Sequence, residues 1–140
     1  MRKNFFLIVV GFMTISCTNN SFEKHIIDNY YLKKINLNGI QFIGQKKDSL
    51  LDNGIWQVKV PDYVYAYGYN KNIIVAKLHP NYYPDQWKVN TSITEYYIID
   101  LNQDFENVHG PLSITEFEEK MLDLNGEILE FDHFYSEEKK

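Results

Sequence analysis

Two apolar segments separated by three polar residues constrain the fold of this chain more than any other feature. The segments are Val64 to Tyr69 (VYAYGY) and Ile73 to Leu78 (IIVAKL), with Asn70 to Asn72 (NKN) between them. Asparagine tolerates the positive φ that a tight turn needs, so the pattern predicts a β-hairpin. Gly68 in the first arm indicates a bulge or a close approach of two backbones.

Further strand-like segments lie on both sides of this hairpin. They are short, rich in β-branched and aromatic residues, and bounded by turn formers. The segments are Tyr30 to Ile35, Ile40 to Gly44, Ile55 to Val60 and Glu95 to Leu101. Strict alternation in the third of them places Trp56, Val58 and Val60 on one face, which we expect to face the core.

One helix is predicted near the C-terminus. Ser113 and Glu116 form a capping-box pattern, and Asn125-Gly126 is a typical helix end. The apolar stripe between them consists of Ile114, Phe117, Met121, Leu122 and Leu124. The predicted class is therefore α+β, an antiparallel sheet of five to six strands with one helix near the C-terminus. The alternative is a small β-barrel with a capping helix.

The N-terminal segment has the features of a lipoprotein export signal. Arg2 and Lys3 precede a short apolar stretch, and Ser16 stands directly before Cys17, the single cysteine of the chain. The stretch is too short for a ~30 Å hydrocarbon layer, which needs roughly 20 apolar residues. We therefore expect removal of residues 1–16 and lipidation of Cys17. Thr14 stands where the lipoprotein motif has leucine, so ordinary secretion and an uncleaved anchor remain alternatives.

This signal defines the expected domain organisation and location. Residues 17–24 are predicted to be the lipidated cysteine and a polar tether, and residues 25–140 a single globular domain. A diacylglyceryl thioether with an N-acyl chain would attach Cys17 to a membrane of the cell envelope, because two or more acyl chains make anchoring stable.

The charge of the mature chain limits its partners. Without Arg2 and Lys3, 12 basic and 19 acidic residues remain, a net charge of about −7. Nucleic acids and anionic lipid surfaces are bound mainly through Lys and Arg. The net charge therefore argues against both as partners.

Three motifs occur in an order that resembles a known group of proteins. The second hairpin arm ends in IIVAKLHP (73–80), the strand EYYIID (95–100) follows, and GPL (110–112) precedes the helix. This order resembles an uncharacterised family of small bacterial lipoproteins with an "IIAKxHP" arm, a "YYIID" strand and a "GPL" helix start. The resemblance spans residues 55–125. It implies a lipoprotein of this fold and no catalytic residue, because the family has no assigned activity.

The sequence contains no recognisable catalytic or metal-binding motif. The four histidines are His25, His79, His109 and His133, and none has HxxxH or HExxH spacing. There is no glycine-rich phosphate loop and no Gly-x-Ser-x-Gly motif. We therefore predict no metal, no cofactor and no catalytic residue. His79 at a strand end is expected to pack at the rim of the sheet, or else to centre a dispersed hydrolase site. His109, beside Gly110-Pro111, is expected to lie in a turn before the helix.

Aromatic residues are the remaining candidates for ligand binding. Tyr82, Tyr83 and Trp87 share a proline-containing loop next to His79, and tyrosine offers a large contact area at low entropic cost. A second set occupies every second position of one hairpin arm, namely Tyr63, Tyr65, Tyr67 and Tyr69. This ladder is expected on a single face, either exposed for recognition or packed under the helix.

These observations favour a non-enzymatic binding or interaction module anchored in the cell envelope, with a protein or peptide partner. One special case is an immunity or inhibitor protein whose acidic surface covers a basic toxin or enzyme. The alternatives are a hydrolase around His79 and a structural envelope component. A pocket that joins His79 to a carboxylate would favour the enzyme, whereas a flat exposed aromatic patch would favour binding.

Overall fold

The computed structural model describes residues 21–35, 40–47, 55–61, 63–81 and 89–135. Within these residues there are nine strands and one helix. The strands are β1 (Phe22–Ile27), β2 (Tyr30–Lys34), β3 (Gln41–Lys47), β4 (Ile55–Val60), β5 (Val64–Tyr69), β6 (Ile73–Leu78), β7 (Glu95–Asp100), β8 (Val108–Leu112) and β9 (His133–Phe134), and the helix is α1 (Ile114–Asn125). The predicted signal segment 1–16 and Cys17 lie outside the described residues.

The strands form two antiparallel sheets. The first sheet has the order β1-β2-β3-β4, and the second has the order β8-β7-β6-β5-β9. The predicted α+β class with antiparallel pairing and one late helix is confirmed, and the sheets are open rather than closed into a barrel. Pro61, which cannot donate to a ladder, lies between β4 and β5, where the chain passes from the first sheet to the second.

The central hairpin is confirmed with the predicted boundaries. β5 pairs with β6, and the Asn70 backbone N–H donates to the Ile73 carbonyl at 2.9 Å. The Asn70 side-chain oxygen accepts from the backbone N–H groups of Asn72 at 2.8 Å and Ile73 at 3.0 Å. The turn is thus closed by an asparagine side chain, whereas positive φ among the described non-glycine residues occurs elsewhere.

Two hydrophobic cores lie on opposite faces of the second sheet. The first core joins the two sheets and includes Leu32, Ile43, Tyr67, Ile74 and Ile99. The second core joins the second sheet to α1 and consists of Ile73, Val75, Ile98, Phe117 and Met121. The described residues therefore form three layers, in the order first sheet, second sheet and helix. β6 and β7 are buried on both faces, as their continuous apolar sequence indicates.

The capping signals of α1 are confirmed at both ends. Ser113 and Glu116 form the reciprocal capping box, and Gly126 ends the helix in the left-handed conformation at φ 74°. The apolar stripe is narrower than predicted, since Ile114 and Leu122 are about half exposed. Phe117 and Met121 lie one turn apart and fill the contact with the sheet.

Two segments predicted as irregular are strands. Residues 22–24, assigned to the tether, belong to β1, which pairs with β2 from Phe22↔Lys34 onward. The segment around Gly110-Pro111, predicted as a turn before the helix, belongs to β8, which pairs with β7. Both are edge strands, which tolerate polar residues and proline, so their sequences lack the apolar alternation of a central strand.

The predicted facing of β4 is wrong for two of three residues. Val60 is buried in the first core, but Val58 is 54% exposed and Trp56 lies on the outer face of the first sheet. In the pairing of β3 with β4, Ile43 pairs with Val60 and the next residue, Gly44, pairs with Val58, so the register skips Lys59. This irregularity places one extra residue in β4 and reverses the alternation beyond it.

Gly68 marks a close backbone approach, one of the two possibilities predicted for it. A Cβ atom at this position would lie 2.0 Å from the carbonyl oxygen of Glu130. The segment after α1 therefore passes directly over β5 before β9 pairs with Ala66 and Tyr67.

Candidate functional site

The predicted loop candidates Tyr82, Tyr83 and Trp87 lie outside the described residues, as Cys17 does. His79 is described and follows β6 directly. Its Nδ1 lies 2.7 Å from the carbonyl oxygen of Ile93, and its ring stacks on Tyr65 with centroids 4.3 Å apart. Because a carbonyl oxygen only accepts, Nδ1 carries the proton.

These contacts agree with a packing role for His79 at the rim of the second sheet. The Tyr65 hydroxyl lies 3.1 Å from the Thr94 hydroxyl, so the His79–Tyr65 stack holds the segment before β7. A hydrolase site would require a carboxylate in hydrogen-bond reach of the imidazole. The hydrogen bond described for His79 goes to a backbone carbonyl instead.

The tyrosine ladder does not form one face. The pairing of β5 with β6 shifts between Val64 and Ala66, and this bulge separates Tyr65 from the residues that follow. Tyr67 is fully buried between the two sheets, where its ring stacks on His133 at 4.6 Å, and Tyr69 is 37% exposed. The ladder is therefore neither an exposed recognition face nor a layer beneath the helix.

A shallow cleft, here called the acidic cleft, lies between β8 and α1. Its volume is about 490 Å³, and it is lined by His109, Gly110, Leu112, Glu116, Glu119, Lys120 and Asp123. Gly110 adopts φ 153° and packs on the Tyr97 ring, where a Cβ atom would lie 2.5 Å from the nearest ring carbon. Glycine thus lets β8 lie flat against β7 beside the helix.

The acidic cleft combines a neutral imidazole with anionic carboxylates. Burial, and then the nearby Lys120, lowers the pKa of His109, while Asp100 acts weakly in the opposite direction. The His109 Nε2 atom is buried without a hydrogen-bond partner among the described residues. Hydrogen bonds from the Ser113 hydroxyl and backbone N–H lower the pKa of Glu116. Lys120 also lines the cleft, with its ammonium 3.8 Å from the Asp123 carboxylate, so three carboxylates surround one lysine and the excess negative charge favours an ammonium or guanidinium group.

The acidic cleft belongs to a larger acidic side of the molecule. Seven exposed carboxylates lie on α1 and the segment after it, at Glu116, Glu118, Glu119, Asp123, Glu127, Glu130 and Asp132. Lys120 is the single basic residue between Ser113 and Asp132. Lys77 reaches this side from β6, with its ammonium over the Phe131 ring at 4.1 Å.

The opposite side of the molecule is the outer face of the first sheet. We call it the aromatic–lysine face and define it by Glu23, His25, Tyr31, Lys33, Phe42, Lys46 and Trp56. The Lys33 ammonium lies 4.3 Å from the Trp56 ring centroid, and the Lys46 ammonium lies 5.9 Å from it. The Tyr31 and Phe42 rings meet Trp56 edge-on at 5.5 and 6.5 Å.

Gly44 allows the Phe42 and Trp56 rings to pack closely. A Cβ atom at Gly44 would lie 3.0 Å from both the Phe42 and the Trp56 ring. Phe42 is buried at 5% exposure, whereas Tyr31, Lys33, Lys46 and Trp56 are half-buried. β1 to β4 together contain six lysines and one glutamate. Two of these lysines, Lys33 and Lys46, lie on the aromatic–lysine face beside Glu23, whereas Lys24 and Lys59 contact residues on the side of the second sheet.

Sequence reasoning missed both surfaces. The predictions of a turn at His109 and of a core position for Trp56 are wrong, because β8 lacks the apolar alternation of a central strand and the register shift breaks the alternation in β4. The available signal for the aromatic–lysine face was the pairing of lysines at Lys33-Lys34 and Lys46-Lys47 in adjacent strands. In the described part of the chain, no group of three His, Cys, Asp or Glu side chains could hold a metal ion. No described helix has the length and apolar character to cross a membrane.

One family model matches this chain. It covers residues 27–134 and is described as a protein of unknown function (DUF3997). Searches of curated proteins and of solved structures give no match. The chain therefore belongs to this uncharacterised family, and the resemblance to an uncharacterised family is confirmed at that level.

Proposed function

We propose that this member of the DUF3997 family is a lipid-anchored protein of the cell envelope and that it binds a cationic protein partner through its acidic side. The anchor would be Cys17, at the end of the export signal in residues 1–16. Only Thr18 to Ser21 separate Cys17 from β1. Acylation there would hold the folded domain directly at the membrane.

The segregation of charge between the two outer layers carries the binding proposal. Seven exposed carboxylates and a single lysine occupy α1 and the segment that follows. Complementary charge steers association and suppresses wrong partners more than it adds affinity. The acidic cleft supplies a place for one lysine or arginine side chain of the partner, with Glu119 and Asp123 as its anionic walls.

A basic toxin or secreted enzyme is the special case that this surface fits, because an immunity or inhibitor protein must cover a cationic substrate-binding surface. The same acidic side would serve both roles. The two differ in whether the partner loses an activity when it is bound.

Fractionation of cells tests the anchor. Wild-type protein is expected in the membrane pellet with an acylated N-terminal cysteine by mass spectrometry, and Cys17→Ser is expected in the soluble fraction. The variant should keep its circular dichroism spectrum, because Cys17 precedes β1. Thr18→Ala is the matched control and should stay in the pellet. A Cys17→Ser protein that remains in the pellet contradicts the anchor.

Affinity capture from native envelopes tests the binding surface. The Glu119→Gln, Asp123→Asn double variant is compared with Asp104→Asn, Glu106→Gln, which removes two exposed carboxylates from the β7–β8 loop instead. We expect a basic protein to be captured by wild type and by the control, to be lost from the cleft variant, and to elute at high salt. Equal capture by the two variants would contradict a role for the acidic cleft.

A further inference from the structure

We propose that the aromatic–lysine face rests on an anionic lipid surface, the membrane to which Cys17 is attached, and so turns the acidic side outward. The inference rests on the proposed Cys17 anchor for its geometry. The side chains of the aromatic–lysine face and their contacts do not depend on that anchor.

The length of chain before β1 limits where the domain can lie. From Cys17 to Phe22 a fully extended chain spans at most about 18 Å, whereas a domain of this size has a diameter of roughly 35 Å. The anchor therefore keeps β1 within about 18 Å of the lipid headgroups. β1 is an edge strand of the first sheet, so this sheet is the layer nearest to the anchor.

The side chains of the face match the chemistry of a membrane–water interface. Tryptophan and tyrosine place an apolar ring against lipid and a polar atom toward water, and lysine extends its charge to the headgroups. Trp56 and Tyr31 are half-buried, so part of each ring is open to a neighbouring surface. Val58 on the same strand as Trp56 is 54% exposed. Apolar contact and positive charge thus occur on one face.

Charge complementarity selects an anionic surface. Lys33 and Lys46 are the lysines of this face and favour phosphate headgroups, with roughly 1 kcal/mol for each lysine close to such a surface. The Glu23 carboxylate lies 4.0 Å from the Lys46 ammonium, both more than a third exposed, so this pair is weak and solvent-screened. The helix layer lies roughly 20 Å away, across two layer spacings, which keeps its carboxylates beyond the Debye length of the headgroups.

Fluorescence of Trp56 in reconstituted vesicles tests this orientation. The Trp87→Phe variant leaves Trp56 as the single tryptophan. Lipidated protein is placed in phosphatidylcholine vesicles with and without phosphatidylglycerol, each with lipids brominated near the headgroup as quenchers. We expect strong quenching of Trp56 in the anionic vesicles and little in the neutral ones.

Matched charge variants distinguish the effect of lysines on the aromatic–lysine face from the effect of the net charge of the protein. Lys33→Gln and Lys46→Gln should each reduce the population in contact with lipid about fivefold. Lys71→Gln, which removes one exposed lysine from the β5–β6 turn, should leave quenching unchanged. Equal loss in all three variants, or quenching that does not depend on phosphatidylglycerol, overturns the proposal.

Two further outcomes are distinguishable. If mass spectrometry shows no acyl chain, the anchor fails, and the same protein added to the outside of the vesicles tests the face alone by the same quenching. If Trp56 is not quenched by lipid but its emission shifts on addition of poly-glutamate, the face binds acidic polypeptide and the lipid proposal is overturned.

Discussion

A buried polar contact between the two sheets gives the sharpest test of how the layers are held together. Asn107, 3% exposed, precedes β8 in the second sheet and donates from its side-chain nitrogen to the Tyr30 hydroxyl of the first sheet at 2.9 Å. Its side-chain oxygen accepts from the Lys59 ammonium at 3.2 Å. One amide thus connects β2 and β4 to the opposite sheet.

Replacement of Asn107 by alanine should cost about 2–3 kcal/mol of unfolding free energy. Most of this loss comes from the Tyr30 hydroxyl, which is buried and would lose its partner, at about 1–3 kcal/mol. The bond from the part-buried Lys59 adds only about 0.5 kcal/mol, because solvent screens it. Truncation of the amide leaves a small void between the sheets that adds to the loss.

Urea unfolding of Asn107→Ala, Tyr30→Phe and the double variant measures this contact. Asn81→Ala, at an exposed position, is the control and should change stability by less than about 0.5 kcal/mol. The two core substitutions should not be additive, with a coupling of at least about 0.5 kcal/mol. The reasoning is refuted if Asn107→Ala matches the control, or if the two losses simply add.

Two further predictions concern backbone packing and alkaline pH. Gly68→Ala places a Cβ atom 2.0 Å from the Glu130 carbonyl oxygen and should lower the unfolding free energy in urea by about 3 kcal/mol. Gly126→Ala, at φ 74° but with open space around it, should lower it by about 1 kcal/mol. A larger loss for Gly126→Ala than for Gly68→Ala would contradict the close approach at Gly68. Burial raises the pKa of Tyr30, Tyr67, Tyr96 and Tyr97. The native state therefore retains protons that the unfolded chain loses above about pH 10, so stability is full below that pH and falls as the pH rises, by at most about 1.4 kcal/mol per pH unit for each tyrosine. Phenolate absorbance should rise in a cooperative step together with the loss of circular dichroism; complete titration in the folded state at the ordinary pKa would contradict the burial.

The parts of the fold that sequence predicts correctly depend on local signals. The β5–β6 hairpin has its turn residues within the segment, and the Asn70 side chain that closes it belongs to the turn itself. Both caps of the helix are formed by residues close in sequence to the helix ends, Ser113 with Glu116 at the start and Gly126 at the end. Such signals act over three or four positions, so one sequence suffices to read them.

The parts that sequence predicts wrongly depend on partners distant in the chain. The register shift opposite Ile43 and Gly44 reverses the facing of Trp56 and Val58, and nothing within β4 indicates it. The bulge between Val64 and Ala66 likewise divides the tyrosine ladder. A one-residue irregularity exchanges the two faces of a strand beyond it. A prediction of which residues face the core from their alternation therefore fails wherever the pairing with a neighbouring strand contains such an irregularity.

The same reasoning applies to charge, where an average over the chain conceals the distribution. A net charge of about −7 for the mature chain argues against anionic partners only if the charges are mixed on the surface. Here the topology places Lys33 and Lys46 on the outer face of one sheet and the segment with seven exposed carboxylates on the far side of the other. A lipid surface or a protein at molecular contact meets one layer, because charges more than about 8 Å away are screened at physiological salt. The layer order therefore sets the charge that each side of the molecule presents, whereas the net charge does not.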